Sequence, residues 1–245
     1  MNDIEVKSPL ASERLAWGIT VLAIALLLDL FLSGYGLANL NVEIDPTQAT
    51  QVNPLQIALG CITPLSGVLK LVGVILVFVD SSRLGGTHRK LALTGLILYL
   101  LSIITTIAVI FLSLGATLQG SLVSYFLTVW MSAVGGLLSF TALVLTVAMI
   151  CPQWIRLVMI AAIVLTAVGT IGITFVSNSH TTMSSYEMMG NTYYIPKVDL
   201  DKTHGIYPTL AVVGSLGSLL LFVAYTALMI QTWRVTSNQV PESVS

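Results

Sequence analysis

The sequence predicts an all-α protein: a polytopic bundle of six transmembrane helices with both termini in the cytoplasm. Three observations predict it. Apolar residues make up 56% of the 245 and charged residues only 9%, whereas a soluble domain carries about a quarter charged. Six apolar runs reach the roughly 20 residues needed to cross a hydrocarbon core of about 30 Å. Lysine and arginine gather beside alternate connections, the asymmetry that orients membrane proteins.

A polar tail, 1–14, precedes the first run, 15–36. That run exceeds the roughly 7–15 apolar residues of a secretory signal, so it is expected to remain as a helix. The second run, 54–79, follows an acidic, Asn/Gln-rich segment, 37–53. A short basic turn containing Gly85 and Gly86 leads to the third run, 91–114. A bare connection at 115–120 leads to the fourth, 123–150. Pro152 is expected to end that helix before the fifth run, 157–177. The longest connection, 178–205, leads to the sixth, 206–233, and the tail 235–245 reads as disordered. The runs are continuously apolar and lack the alternation of a membrane β-barrel, so they are helices. Together 15–234 form one membrane domain.

Lys7, Arg14, Arg83, Arg89, Lys90, Arg156 and Arg234 fall on one side of this arrangement, and only Lys197 and Lys202 on the other. The first side is therefore read as cytoplasmic, and 37–53 and 178–205 as outer loops. Trp17, Trp154 and Trp233 at one level and Tyr35, Tyr125, Trp130 and Tyr207 at the other fit two interfacial belts. The net charge of -1 argues against nucleic acid as a partner. The expected surroundings are the lipid bilayer of the cell membrane, with other membrane subunits or further copies of the chain as protein partners.

Asp29 and Lys70 are the charges inside the predicted spans. A charge at mid-bilayer costs about 2.5–3.5 kcal/mol, so a partner is expected. A rise of 1.5 Å per residue puts both near the midplane, within reach of each other. An Asp29–Lys70 pair would serve as an ion relay or substrate counter-ion, or would simply lock two helices; alternatively Lys70 snorkels to the interface. Asp80 and Arg83, three apart, suit a solvated ion pair. Ser102, Thr105 and Thr106 form a polar stripe whose hydroxyls can bond back to their own helix.

Small residues mark helix faces where backbones approach closely: Gly135 and Gly136, Gly169 and Gly172, Gly214 and Ser218. They either pack within the chain or dock another subunit. A weak repeat relates Ile62, Pro64, Val68 and Gly73 to Ile206, Pro208, Val212 and Gly217, and Gln153 and Arg156 to Gln231 and Arg234. Chance matching among runs drawn from Leu, Val, Gly and Ala is the favoured account of it.

His180, Met183, Met188, Met189 and His204 in the long loop are copper-type ligands, but their spacing matches no metal motif. Met and Tyr there also suit a plug over the helix ends. Cys61 and Cys151 lie too far apart to bridge. No histidine falls in a predicted helix, which excludes a bis-histidine haem. Nucleotide-binding, metalloprotease and hydrolase motifs are absent, so no cofactor, no metal and no catalysis are expected. The sequence therefore reads as a non-catalytic subunit or organiser of a membrane assembly, with a small-solute or ion transporter or channel using Asp29 and Lys70 as the alternative.

Overall fold

The computed structural model describes residues 12–38, 54–81, 83, 85–188, 191–199, 203 and 205–238. Among these residues, long apolar stretches with no proline beyond the first turn except Pro64 give six helices: α1 (Glu13–Ala38), α2 (Pro54–Ser81), α3 (Gly86–Gln119), α4 (Leu122–Val147), α5 (Gln153–His180) and α6 (Ile206–Ser237). Each is long and apolar enough to cross a membrane. Between α5 and α6 stand two strands, β1 (Thr181–Met188) and β2 (Asn191–Val198).

Five of the six predicted runs lie within these helices, and the fourth overruns α4 by three residues. α3 extends through Gln119, so the connection expected at 115–120 shrinks to Gly120 and Ser121. Gly120 takes φ 63, which a side chain would resist, and its N–H returns to the Ala116 carbonyl. Ser121 then accepts from the Ser124 N–H at 3.2 Å and starts α4. α4 stops at Val147, short of the predicted 150, so Pro152 does not end it. Pro152 instead immediately precedes α5, where its fixed φ suits a helix entry. Gly86 rather than Leu91 opens α3, because a basic first turn can be helical while still reaching water.

The segment between α5 and α6 adds a β-hairpin to the expected all-α bundle. Thr181 to Met188 pairs antiparallel with Asn191 to Val198, from Thr181 opposite Val198 to Met188 opposite Asn191. Threonine, tyrosine, isoleucine and valine favour this extended backbone. Two such strands alone are marginal in water. Here the hairpin is tied at its base, where the Asp199 N–H donates to the His180 carbonyl at 2.9 Å. Above it, the Tyr194 ring lies against Gly120.

Successive helices are antiparallel neighbours, and α6 returns to pack on α1, closing a ring. Packing is heaviest within the hairpins α1–α2, α3–α4 and α5–α6 and at the α1–α6 seam. Leu15, Ile19, Leu22 and Leu26 recur every three or four residues, so α1 presents one apolar stripe inward. They join Val74, Val77, Leu143, Val147, Ile155, Met159, Leu221 and Leu228 in a core concentrated toward the end that carries Arg14, Arg83 and Arg156. At its centre the fully buried Tyr225 hydroxyl donates to the Leu143 carbonyl at 2.6 Å, joining α6 to α4. Large apolar side chains such as Ile104, Phe111 and Leu157 face outward, the pattern expected where lipid is the solvent.

The matches that suggested a repeat do not occupy equivalent places. Pro64 lies well inside α2, whereas Pro208 is the third residue of α6. Gln153 and Arg156 belong to α5 rather than to the end of α4, while Gln231 and Arg234 continue α6.

Candidate functional site

The densest polar cluster within the spans joins α1, α2 and α3. Lys70 Nζ makes an ion pair with Asp29 Oδ2. Ser66, one turn before Lys70 on the same face of α2, donates to Asp29 Oδ1 at 2.5 Å and lies 3.2 Å from the Ala25 carbonyl. From α3, the Tyr99 hydroxyl donates to the Gly67 carbonyl at 2.8 Å. The two charges satisfy each other, and Ser66 occupies a further lone pair of the carboxylate. A low-dielectric pair of this kind persists when its remaining hydrogen-bonding capacity is met. The side chains are not sealed: Asp29 retains 22% exposure and Lys70 13%.

The small residues fall into two sets. Gly135 faces Thr105 and the Ser102 carbonyl of α3. Gly169 and Gly172 face Gly214 and Leu210 of α6, and a Cβ on Gly169 would sit 2.5 Å from the Gly214 nitrogen. These glycines serve contacts within the chain. Gly136, by contrast, has no atom within 4 Å of its Cβ position, and Ser218 is half-buried on α6. The hydroxyls of Ser102, Thr105 and Thr106 all donate to carbonyls of their own helix.

The Asp80–Arg83 pair departs from the solvated pair expected. Asp80 is buried, receiving Arg83 Nε at 2.9 Å, Arg83 Nη2 at 2.6 Å and Ser12 Oγ at 2.9 Å. The reason is the close approach of the start of α1, which sequence spacing within α2 does not report. Against the expectation that no histidine falls in a helix, His88 lies in the first turn of α3, buried, with neither ring nitrogen hydrogen-bonded. His180 closes α5. Two helices thus carry a histidine, at opposite ends of the bundle.

Among the described residues no three His, Cys, Asp or Glu side chains gather as a metal site. His204 and Met189 lie outside the described residues, as do Lys7 and Lys202. Cys61 is exposed and Cys151 buried, both as free thiols. Between α4 and α5, burial pushes the Cys151 thiol from 9.0 up to about 12, against a smaller opposing effect of Arg156.

At the end of the bundle bearing the arginines, α1 and α2 flank an open cleft of about 760 Å³ lined by Trp17, Val21, Leu76 and Asp80, with Ser12 and the exposed Glu13, Arg14 and Arg83 toward its rim. Trp17 is held edge-on against Trp233 at 5.4 Å, and the Trp233 indole donates to Thr20 Oγ1 at 2.9 Å. Comparison with protein-family models, with curated proteins and with solved structures finds no match for this chain.

Proposed function

We propose that this chain is a non-catalytic multi-pass protein of the cell membrane, with both termini in the cytoplasm, that works as a subunit or organiser of a membrane assembly. The observation that carries this reading is the β1–β2 hairpin. Among the described residues it is a two-stranded sheet, so each strand has an edge without a further strand, and such an edge is a template for pairing with another chain. The two intramembrane charges favour the same reading, because Asp29 is engaged by both Lys70 and Ser66. Replacement of 181–198 by a short Gly-Ser linker, followed by gentle detergent purification and mass spectrometry, tests it. The full chain should retain a co-purifying membrane protein that the hairpin-less chain loses. A full chain that is alone and monomeric would refute the proposal.

A transport reading is favoured by one observation, the residual exposure of Asp29. Ion flux through liposomes containing the purified chain, abolished by Asp29→Asn, would support it. Equal leak from protein-free and protein-containing liposomes would remove it.

A further inference from the structure

The cleft between α1 and α2 is amphipathic along its length. At the rim stand Glu13, Arg14 and Arg83; deeper along the helices the lining becomes Trp17, Val21 and Leu76. Residues 14, 17 and 21 are three and four apart, so they follow one face of α1; Asp80 and Leu76, four apart, follow one face of α2, and Arg83 stands in the turn just past its end.

The charges of the rim can be counted. Asp80 is buried and consumed by the Arg83 fork and Ser12. Arg83 remains half exposed and uses Nε and Nη2 on that carboxylate, which leaves Nη1 free of it. Arg14 and Glu13 are exposed and make no ion pair with a described residue. Counted among the described residues, the open rim therefore offers one unpaired guanidinium, the outer edge of a second, and one unpaired carboxylate. Guanidinium groups match phosphate oxygens in geometry and charge. A carboxylate beside them repels a purely anionic headgroup and suits an ammonium. The tryptophan below belongs at the level where headgroup meets acyl chain.

We propose that this cleft binds one zwitterionic phospholipid of the phosphatidylethanolamine type. Its phosphodiester lies against Arg14 and Arg83, its ammonium against Glu13, and one acyl chain runs along Trp17, Val21 and Leu76. The inference rests on the six helices crossing a bilayer and is independent of whether the chain works in an assembly.

The test is native mass spectrometry of the full chain in detergent, titrated in turn with phosphatidylethanolamine, phosphatidylcholine and phosphatidylglycerol of matched acyl chains. Phosphatidylethanolamine should bind tightest. Arg14→Gln should weaken it by about five-fold, the worth of one interfacial basic residue, and Arg14→Lys should restore most of the loss. Glu13→Gln should abolish the preference for ethanolamine over choline. Val21→Trp, which fills the apolar part, should lower all three lipids together. Tighter binding of phosphatidylglycerol, or equal binding by Arg14→Gln, would overturn the proposal. Equal binding of free phosphoethanolamine would show a soluble headgroup site instead. A lipid preference seen only after deletion of residues 1–11 would make that segment the occupant, and would equally overturn it.

Discussion

Gly169→Ala isolates the close approach of α5 to α6. The added Cβ would lie 2.5 Å from the nitrogen and 2.6 Å from the Cα of Gly214, and 2.8 Å from the Leu210 carbonyl. Ordinary carbon contacts begin near 3.5 Å, so the helices must part by about 1 Å over this crossing. Every atom struck is backbone, and no side-chain rotation relieves the clash. Overpacking costs about 1–3 kcal/mol, and the upper end applies here. Alanine returns about 1 kcal/mol of helix propensity, leaving a net loss of about 2 kcal/mol. For a chain of this size that is a fall of roughly 4–8 °C in melting temperature. Gly214→Ala is the control, because its Cβ would meet Gly169 Cα at an ordinary 3.7 Å. It should melt unchanged or slightly higher. Fluorescence-detected size-exclusion chromatography after a temperature series reads both variants in the same detergent. Equal melting of the two would refute the packing described for α5 and α6.

The remaining predictions use other parts of the bundle. Asp29→Lys should prevent accumulation, since two like charges would face each other at about 2.5–3.5 kcal/mol each in the membrane interior. Asp29→Lys with Lys70→Asp should restore it, and immunoblotting of membranes decides; failure of the swap would count against the pair. Tyr225→Phe removes the bond to the Leu143 carbonyl and should cost about 1 kcal/mol, whereas Tyr225→Ala empties a fully buried site and should cost about 3–5 kcal/mol. Similar melting of these two variants would show that the ring is not packed as described. At pH 8 a maleimide should modify Cys61 and spare Cys151 until the protein is denatured in SDS. The Cys151 thiol, raised from 9.0 to about 12 in the fold, contributes stability that is complete below pH 9 and is lost as pH climbs toward 12. Melting measured across pH 8 to 11 should fall more steeply for the native chain than for Cys151→Ala.

Much of the helical frame was legible because a charge in a span is costly, so runs such as 91–114 carry none. The ends were less so. His88 sits in a Gly-Thr-His-Arg-Lys turn that reads as a loop by composition, yet it is helical and buried, because burial there comes from neighbouring helices. β1 gave no signal by alternation, since its Thr-Thr-Met-Ser-Ser run has no apolar face to mark. For Asp29 and Lys70, the rise per residue placed both at compatible depth. Ser66 was missed although it stands four residues before Lys70 on the same face, and that spacing was the available sign. Small-residue spacing marked faces on α5 and α6 without saying that Gly169 meets Gly214, because what a face meets depends on how the ring closes.

That closure at α1 and α6 bears on how the chain is made. About 170 residues separate the end of α1 at Ala38 from the start of α6 at Ile206, roughly 10–30 s of ribosomal synthesis. Through that interval α1 lacks the neighbour that completes its inward stripe. Its available companion is α2, which emerges soon after and brings Lys70 and Ser66 to Asp29. The polar cluster thus stands where an early hairpin would need a latch. Moving the chain ends into the Gly120–Ser121 connection, with the old ends joined by a linker, would let α1 and α6 emerge close together and relieve that latch of its task.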